Sequence, residues 1–521
     1  MISLRQAILS TVAGIVMVGG AQAADLPVKA KAVEYVRVCS LYGAGFYYIP
    51  GTDTCIKLSG FLRVEAGLNT NSIYSGQYSG AGAAHNRLTN YYTARSREIF
   101  EIDTRTATEY GVLRTFFQGG FNWTTGGYAG NSTNAAGAPG GTLYSSSIGP
   151  AGGVINPSDG GTSGGSFGLY YAFIQFAGFT MGKAISQFDA PWSAYPANNF
   201  DGLVGGSGTV TGVNQFTYTA QFGNGVSGTL SAQDTVGYTQ AGLLNLTGAT
   251  AAGMLGGANG LNNTAGTRSP DLIATLKVDQ AWGMFQASVA AHNNTPGYYA
   301  GAETSGHPDS NWGFAVQGAL QIKNIPTGPG DTVNVQAVYT DGATRYNIQN
   351  LAPNALSMFG GTNLAGAYQS IGFANAPDAI YTGTSAANGT NLENVRTWGF
   401  RGGFNHNWDP YWSSGLYGAY AGVRYGNTGK TTICANATAL LSLAGTCNPD
   451  FNIAQLGFIT RWTPVKNLTF SGELTWSRLD QKYSGTVVNP ALLAAVAKPA
   501  ATYELRDQDS FNFLLRAQRN W

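Results

Sequence analysis

The chain has 521 residues, 73 of them Gly, and only 11% are charged, less than half the share usual in a soluble globular protein. Lys and Arg number 28 against 27 Asp and Glu, so no basic excess is available to neutralise phosphates and nucleic acid is excluded as a partner. With 43% hydrophobic and 12% aromatic residues, the chain is too apolar to be disordered.

The first residues read as an address. Arg5 is followed by the uncharged stretch Ala7 to Val18 and by Ala21-Gln22-Ala23, a small-x-small pattern that predicts a signal peptide over 1–23 with cleavage before Ala24. No later segment has the apolar length of a membrane helix, and no helix is expected, so a membrane would be crossed by strands. Residues 24–54 precede the first strand and are expected to be a periplasmic or barrel-base segment, with the barrel over 55–521. The four cysteines pair locally, Cys39 with Cys55 and Cys434 with Cys447. An even count in an exported chain reads as two disulfides, each closing a short loop at a gain of roughly 3 kcal/mol.

From Lys57 to Leu68 the residues alternate: Leu58, Leu62, Val64, Ala66 and Leu68 on one parity, Lys57, Ser59, Arg63 and Glu65 on the other. A strand with one oily and one charged face results. Arg95 to Thr106 repeats the design with Arg95, Arg97, Glu101, Asp103 and Arg105 on one face, and Tyr110 to Thr124 sets Leu113, Phe117, Phe121 and Trp123 against Arg114, Gln118 and Asn122. Further runs, from Phe167 to Ala177 through Ser510 to Trp521, bring the count to about 16. Short turns such as Thr108-Glu109, Ala177-Gly178 and Gln280-Ala281 alternate with long Gly-, Ser- and Asn-rich connections such as Thr125 to Ser166 and Asp341 to Glu393. That asymmetry fits an all-β, transmembrane antiparallel up-and-down barrel. A secreted sandwich would also alternate. It would not concentrate scarce charge on one parity while crowding Tyr110, Trp282, Trp312, Trp408, Trp412, Trp462 and Trp521 at strand ends, where interfacial girdles belong.

Catalytic chemistry is missing. Gly164-Gly165-Ser166-Phe167-Gly168 matches the hydrolase elbow pattern but stands before an alternating strand rather than between strand and helix. The four histidines, His85, His292, His307 and His406, have no zinc spacing. No enzyme activity, cofactor or metal is expected.

The stretch Tyr35 to Cys39, then Tyr42-Gly-Ala-Gly45, Ile49-Pro50-Gly51-Thr52 and Cys55 to Arg63, resembles the N-terminus of the alphaproteobacterial general porins. So do Asp103 to Gly111 with Leu113-Arg114-Thr115, and the ending Leu515 to Trp521, although members of that family usually end in Phe. The resemblance implies a 16-stranded, usually trimeric barrel that passes small hydrophilic solutes and ions passively across the bacterial outer membrane. Outer-membrane lipid and lipopolysaccharide would be its surroundings. It also implies a lumen-folded constriction loop after the fifth strand, here about 186–213. There Asp189 and Asp201 are expected to present negative charge, while Trp192 and Tyr195 anchor the loop and its prolines stiffen it. Facing it, Arg63, Arg95, Arg97, Arg105 and Arg114 would form a basic wall, and the transverse field would rank small ions. The alternative function is a substrate-specific channel of the same fold.

Overall fold

The computed structural model describes residues 37–69, 85–87, 92–124, 166–192, 195–198, 203–209, 211–349, 355–491, 493 and 497–521. The expected signal peptide, residues 24–36 and Asp201 lie outside them. Sixteen antiparallel strands form a closed ring. They are β1 Cys55–Asn69, β2 Tyr92–Thr108, β3 Gly111–Thr124, β4 Ser166–Phe176, β5 Phe179–Ala184, β6 Val213–Gly223, β7 Val226–Gln233 and β8 Asp271–Gln280. The second half comprises β9 Gly283–Asn294, β10 Asn311–Lys323, β11 Thr332–Asp341, β12 Arg396–Asn407, β13 Trp412–Arg424, β14 Phe451–Val465, β15 Leu468–Gln481 and β16 Gln508–Asn520. Each strand pairs with the next, from β1 with β2 to β15 with β16. β16 then pairs back onto β1, Phe61 opposite Asn520 and Asn69 opposite Asn512. Closure leaves no unpaired edge, the condition for backbone amides to survive in hydrocarbon.

The alternation read from sequence is the alternation of the wall. Leu58, Leu62, Val64 and Leu68 of β1 are exposed on the outside, as are Phe314 and Val316 of β10 and Leu456 and Phe458 of β14. Their inward neighbours are polar and covered: Gln317, Gln455, Glu473 and Asn512 are all nearly buried. Exposed Tyr110, Trp282, Trp408, Tyr411 and Trp521 gather at the short-turn end, and Tyr92, Trp312 and Trp398 at the other, marking two aromatic belts. At the seam Trp521 exchanges backbone hydrogen bonds with Gly60 and sets its ring edge-on to Phe100, centroids 5.5 Å apart.

Both disulfides are formed, Cys39 with Cys55 and Cys434 with Cys447. The first pins a small hairpin, Tyr47–Tyr48 against Cys55–Ile56, which packs Phe46 and Tyr42 over the guanidinium of Arg105.

The expectation of no helix needs correction. The connection after β13 contains the helix Asn427–Leu441, although no helix among the described residues is long and apolar enough to cross a membrane. Gly429, Ile433, Ala437 and Leu441, four residues apart, are its buried stripe, the spacing of one helical face. It packs into a core shared by the long connections, with Leu244, Met254, Phe359, Ile371, Val487 and Tyr503. Two four-stranded sheets tie those connections together. One joins Leu243–Asn245 and Leu261–Asn262 to Ala379–Tyr381 and Glu393–Asn394. The other joins Ala355–Gly360 and Gln369–Asn375 to Gly485–Asn489 and Ala501–Leu505. Among the described residues, the long-loop end therefore carries a packed cap.

Candidate functional site

Between β5 and β6 the chain enters the barrel. At its base Gln187 O accepts from Thr275 Oγ1 at 2.9 Å, Phe188 O from Gln317 Nε2 at 2.8 Å and Asp189 O from Gln286 Nε2 at 2.9 Å. The Phe188 ring is fully buried against Tyr346, centroids 4.6 Å apart. At its tip Asn334 Nδ2 donates to Tyr195 O at 2.7 Å and Arg461 Nη2 donates to Pro196 O. Asn198 N donates to both Glu473 carboxylate oxygens at 2.9 and 3.0 Å, while Asn198 O accepts from Arg516 Nη2 at 2.6 Å. On the return Val204 N donates to Gln455 Oε1 at 3.0 Å, and Arg401 donates to Leu203 O and Ser207 O at 2.9 and 2.6 Å. The loop is thus bonded along β8 to β11, β12 and β14 to β16, the half of the lumen opposite β2 to β4.

Small residues let the loop lie flat there. A Cβ on Gly403 or Gly415 would come within 2.3 or 2.8 Å of the Pro196 ring, closer than carbon atoms can approach. Gly205 has φ +85° and passes directly over the Phe400 carbonyl, a conformation and a clearance that only Gly supplies.

Asp189 does not face the channel, contrary to the sequence expectation. It is 6% exposed, and its Oδ2 accepts from Thr209 N at 2.5 Å and Thr209 Oγ1 at 2.7 Å. Burial pushes its carboxyl above the usual carboxylate range, against the pull of those donors. Through its two bonds to Thr209 it clips the two stems of the loop together. Trp192 is half-buried, and Tyr195 is exposed with its ring 5.5 Å from the Arg461 guanidinium.

The five arginines of the expected basic wall all lie on the inward parity, but in two belts rather than one cluster. At the short-turn end Arg105 is paired in register with Arg114. Both bind Asp103, at 3.0 Å each, and Arg114 also donates to Gln175 Oε1 at 3.0 Å. Eight residues back along β2 from Arg105, about 26 Å at the rise of a strand, Arg97 stands opposite Arg63 and, two residues on, Arg95 opposite Glu65. Glu65 binds both Arg95 and Arg516, each at 2.5 Å. Since Arg516 also holds Asn198 O, this upper belt lies where the loop tip reaches the wall. The residues that seat the loop, Arg401, Arg461, Glu473 and Arg516, were not singled out from the sequence. Their signal was a charged side chain on the inward parity of the later strands.

The family model of the porin subfamily matches residues 25–514. The chain is 27% identical over 414 residues to Porin Omp2b of Brucella neotomae, covering 73% of this chain and 92% of that protein. It is 31% identical over 234 residues to Porin Omp2a of Brucella melitensis, 44% of this chain and 56% of that protein. The outer membrane channel DcaP of Acinetobacter baumannii shares the fold, with a TM-score of 0.53 at 15% identity over 91% of this chain and 99% of that one. A closed sixteen-stranded barrel with an oily exterior, a polar interior and a loop bonded inside it is the architecture of a water-filled channel, and the chain belongs to the porin subfamily: it is an outer-membrane channel, not an enzyme.

Proposed function

We propose that small hydrophilic solutes and ions diffuse passively between the inner loop and the wall formed by β1 to β4 and β16, and that this gap is the narrowest point of the channel. The observation that carries this reading is the seating of the loop: the hydrogen bonds of its tip and return draw it onto β11, β12 and β14 to β16. The lumenal side chains of β1 to β3 are charged and line what remains. Solute size would be limited by the width of that gap, and charge would rank those that fit. The sequence reading of an acidic loop facing a basic wall changes in its balance: Asp189 serves the loop neck, so the arginine-rich wall dominates the field. We further propose a homotrimer in lipid and lipopolysaccharide, with residues 1–23 removed on export.

The test is insertion of the detergent-purified mature protein into a planar bilayer, with the same sample run heated and unheated on a gel. Stepwise conductance in threes with heat-shifted migration is the expected result. A folded protein that never conducts would refute the reading.

A further inference from the structure

The upper belt is unbalanced. Among the described residues, one carboxylate, Glu65, is ion-paired within the group Arg63, Arg95, Arg97 and Arg516, and it is bonded to Arg95 and Arg516. Arg63 and Arg97 have no carboxylate within ion-pair distance among the described residues. Arg63 Nε donates to the neutral Gln518 Oε1 at 2.8 Å, and Arg97 Nε donates to the neutral Asn122 Oδ1. The two are direct register partners, and like charges at opposed positions of a sheet repel. They accommodate this by leaning apart, Arg63 towards β16 over the Phe61 ring and Arg97 towards β3 beside the Tyr170 ring. Each is anchored through Nε to a neutral amide, and neither guanidinium is in an ion pair among the described residues. The lower belt differs in kind, because there Asp103 lies between Arg105 and Arg114 and neutralises the opposed pair from within.

Resting on the channel reading above, we propose that the Arg63–Arg97 rung is a transit binding site for solutes that carry a doubly charged oxyanion group, of which phosphate is the simplest. Two guanidiniums on opposed inward positions of one rung suit an anion with several equivalent oxygens, since guanidinium donates to such groups in pairs. A singly charged ion such as chloride satisfies only part of that donor set. Neutral amides as anchors keep the forks in place without competing for the solute. The lumen around the site is wet, which keeps binding weak enough for release, as conduction requires.

The experiment records single channels in dilute KCl while inorganic phosphate is added at pH 8. Wild-type protein is expected to show a saturating decrease in chloride current. Arg63→Gln with Arg97→Gln is expected to raise the half-blocking phosphate concentration about tenfold or more, the loss of one or two charge-assisted hydrogen bonds. Each single variant leaves one fork in place and should give an intermediate shift; the singles carry the test if the double variant lacks heat-shifted migration. Wild-type channels that conduct chloride but ignore phosphate would overturn the site and leave the channel reading intact, as would variants blocked at the wild-type concentration. No channels from folded wild-type protein would instead refute the channel reading.

Discussion

Replacing Glu473 by Gln removes charge from beneath the tip of the inner loop. The carboxylate is 1% exposed and accepts from Asn198 N through both oxygens and from Tyr417 OH at 2.5 Å. Asn334, Arg461, Ser471 and Arg516 supply the other side-chain bonds to residues 195–198. A net 1 kcal/mol for each of the two neutral bonds and 1.5 to 3 for each of the three charge-assisted ones puts the seating of the tip at roughly 6.5 to 11 kcal/mol. The tip is therefore released in fewer than about one channel in ten thousand at any instant. Gln keeps one oxygen, for which Asn198 and Tyr417 must compete, and loses the charge, a cost of about 2 kcal/mol and hence about a thirtyfold rise in the released population. In single-channel records this appears as brief excursions to a larger conductance, about thirty times more frequent than in wild type, at an unchanged main level. An excursion rate equal to wild type in E473Q would refute the assignment of Glu473 as the seat of the tip.

Asp189→Asn is expected to leave the reversal potential in a KCl gradient unchanged, because the carboxylate lies in the loop neck; a shift towards anions would return Asp189 to the channel. Its folded pKa lies above its unfolded value, so its contribution to stability is full below the unfolded pKa and is lost as pH rises through the folded one. Thermal unfolding of D189N should accordingly depend less on pH across that window than unfolding of wild type. Gly403→Val should lift Pro196 off the wall, since the first added carbon already falls 2.3 Å from its ring, and should lower the main conductance level by moving the loop into the gap; an unchanged level with native heat-shifted migration would contradict the close packing.

The barrel was legible because its solvent is inverted. A strand between lipid and water must alternate strictly, and the run Lys57 to Leu68 announces β1 to within two residues at its start and one at its end. The helix Asn427–Leu441 was not legible to the same eye. Its stripe of Gly429, Ile433, Ala437 and Leu441 is small and sits among Thr, Asn and Ala, and a Gly-rich connection hides a period of four better than a strand hides a period of two. The placement of charge was half legible. Parity gives the side of the wall for Arg63, Arg95, Arg97, Arg105 and Arg114, but the division into two belts depends on how far along β2 each one stands and which acid is in register. Asp189 was misjudged for a related reason: an acid in a lumenal loop reads as channel charge until the partner that claims it, Thr209, twenty residues later, is brought back by the fold.

One carboxylate joins parts of the chain that are made at opposite ends of synthesis. Glu65 on β1 is bonded to Arg516 on β16, and the same guanidinium holds Asn198 at the tip of the inner loop. The seam between β1 and β16 can form only after nearly the entire polypeptide exists, and contacts of such sequence separation come late in folding. Until that seam shuts, Arg516 has neither Glu65 to face nor the loop tip within reach. Completion of the ring and narrowing of its bore are thus coupled in one guanidinium, so a half-zipped barrel would have an unfinished sieve.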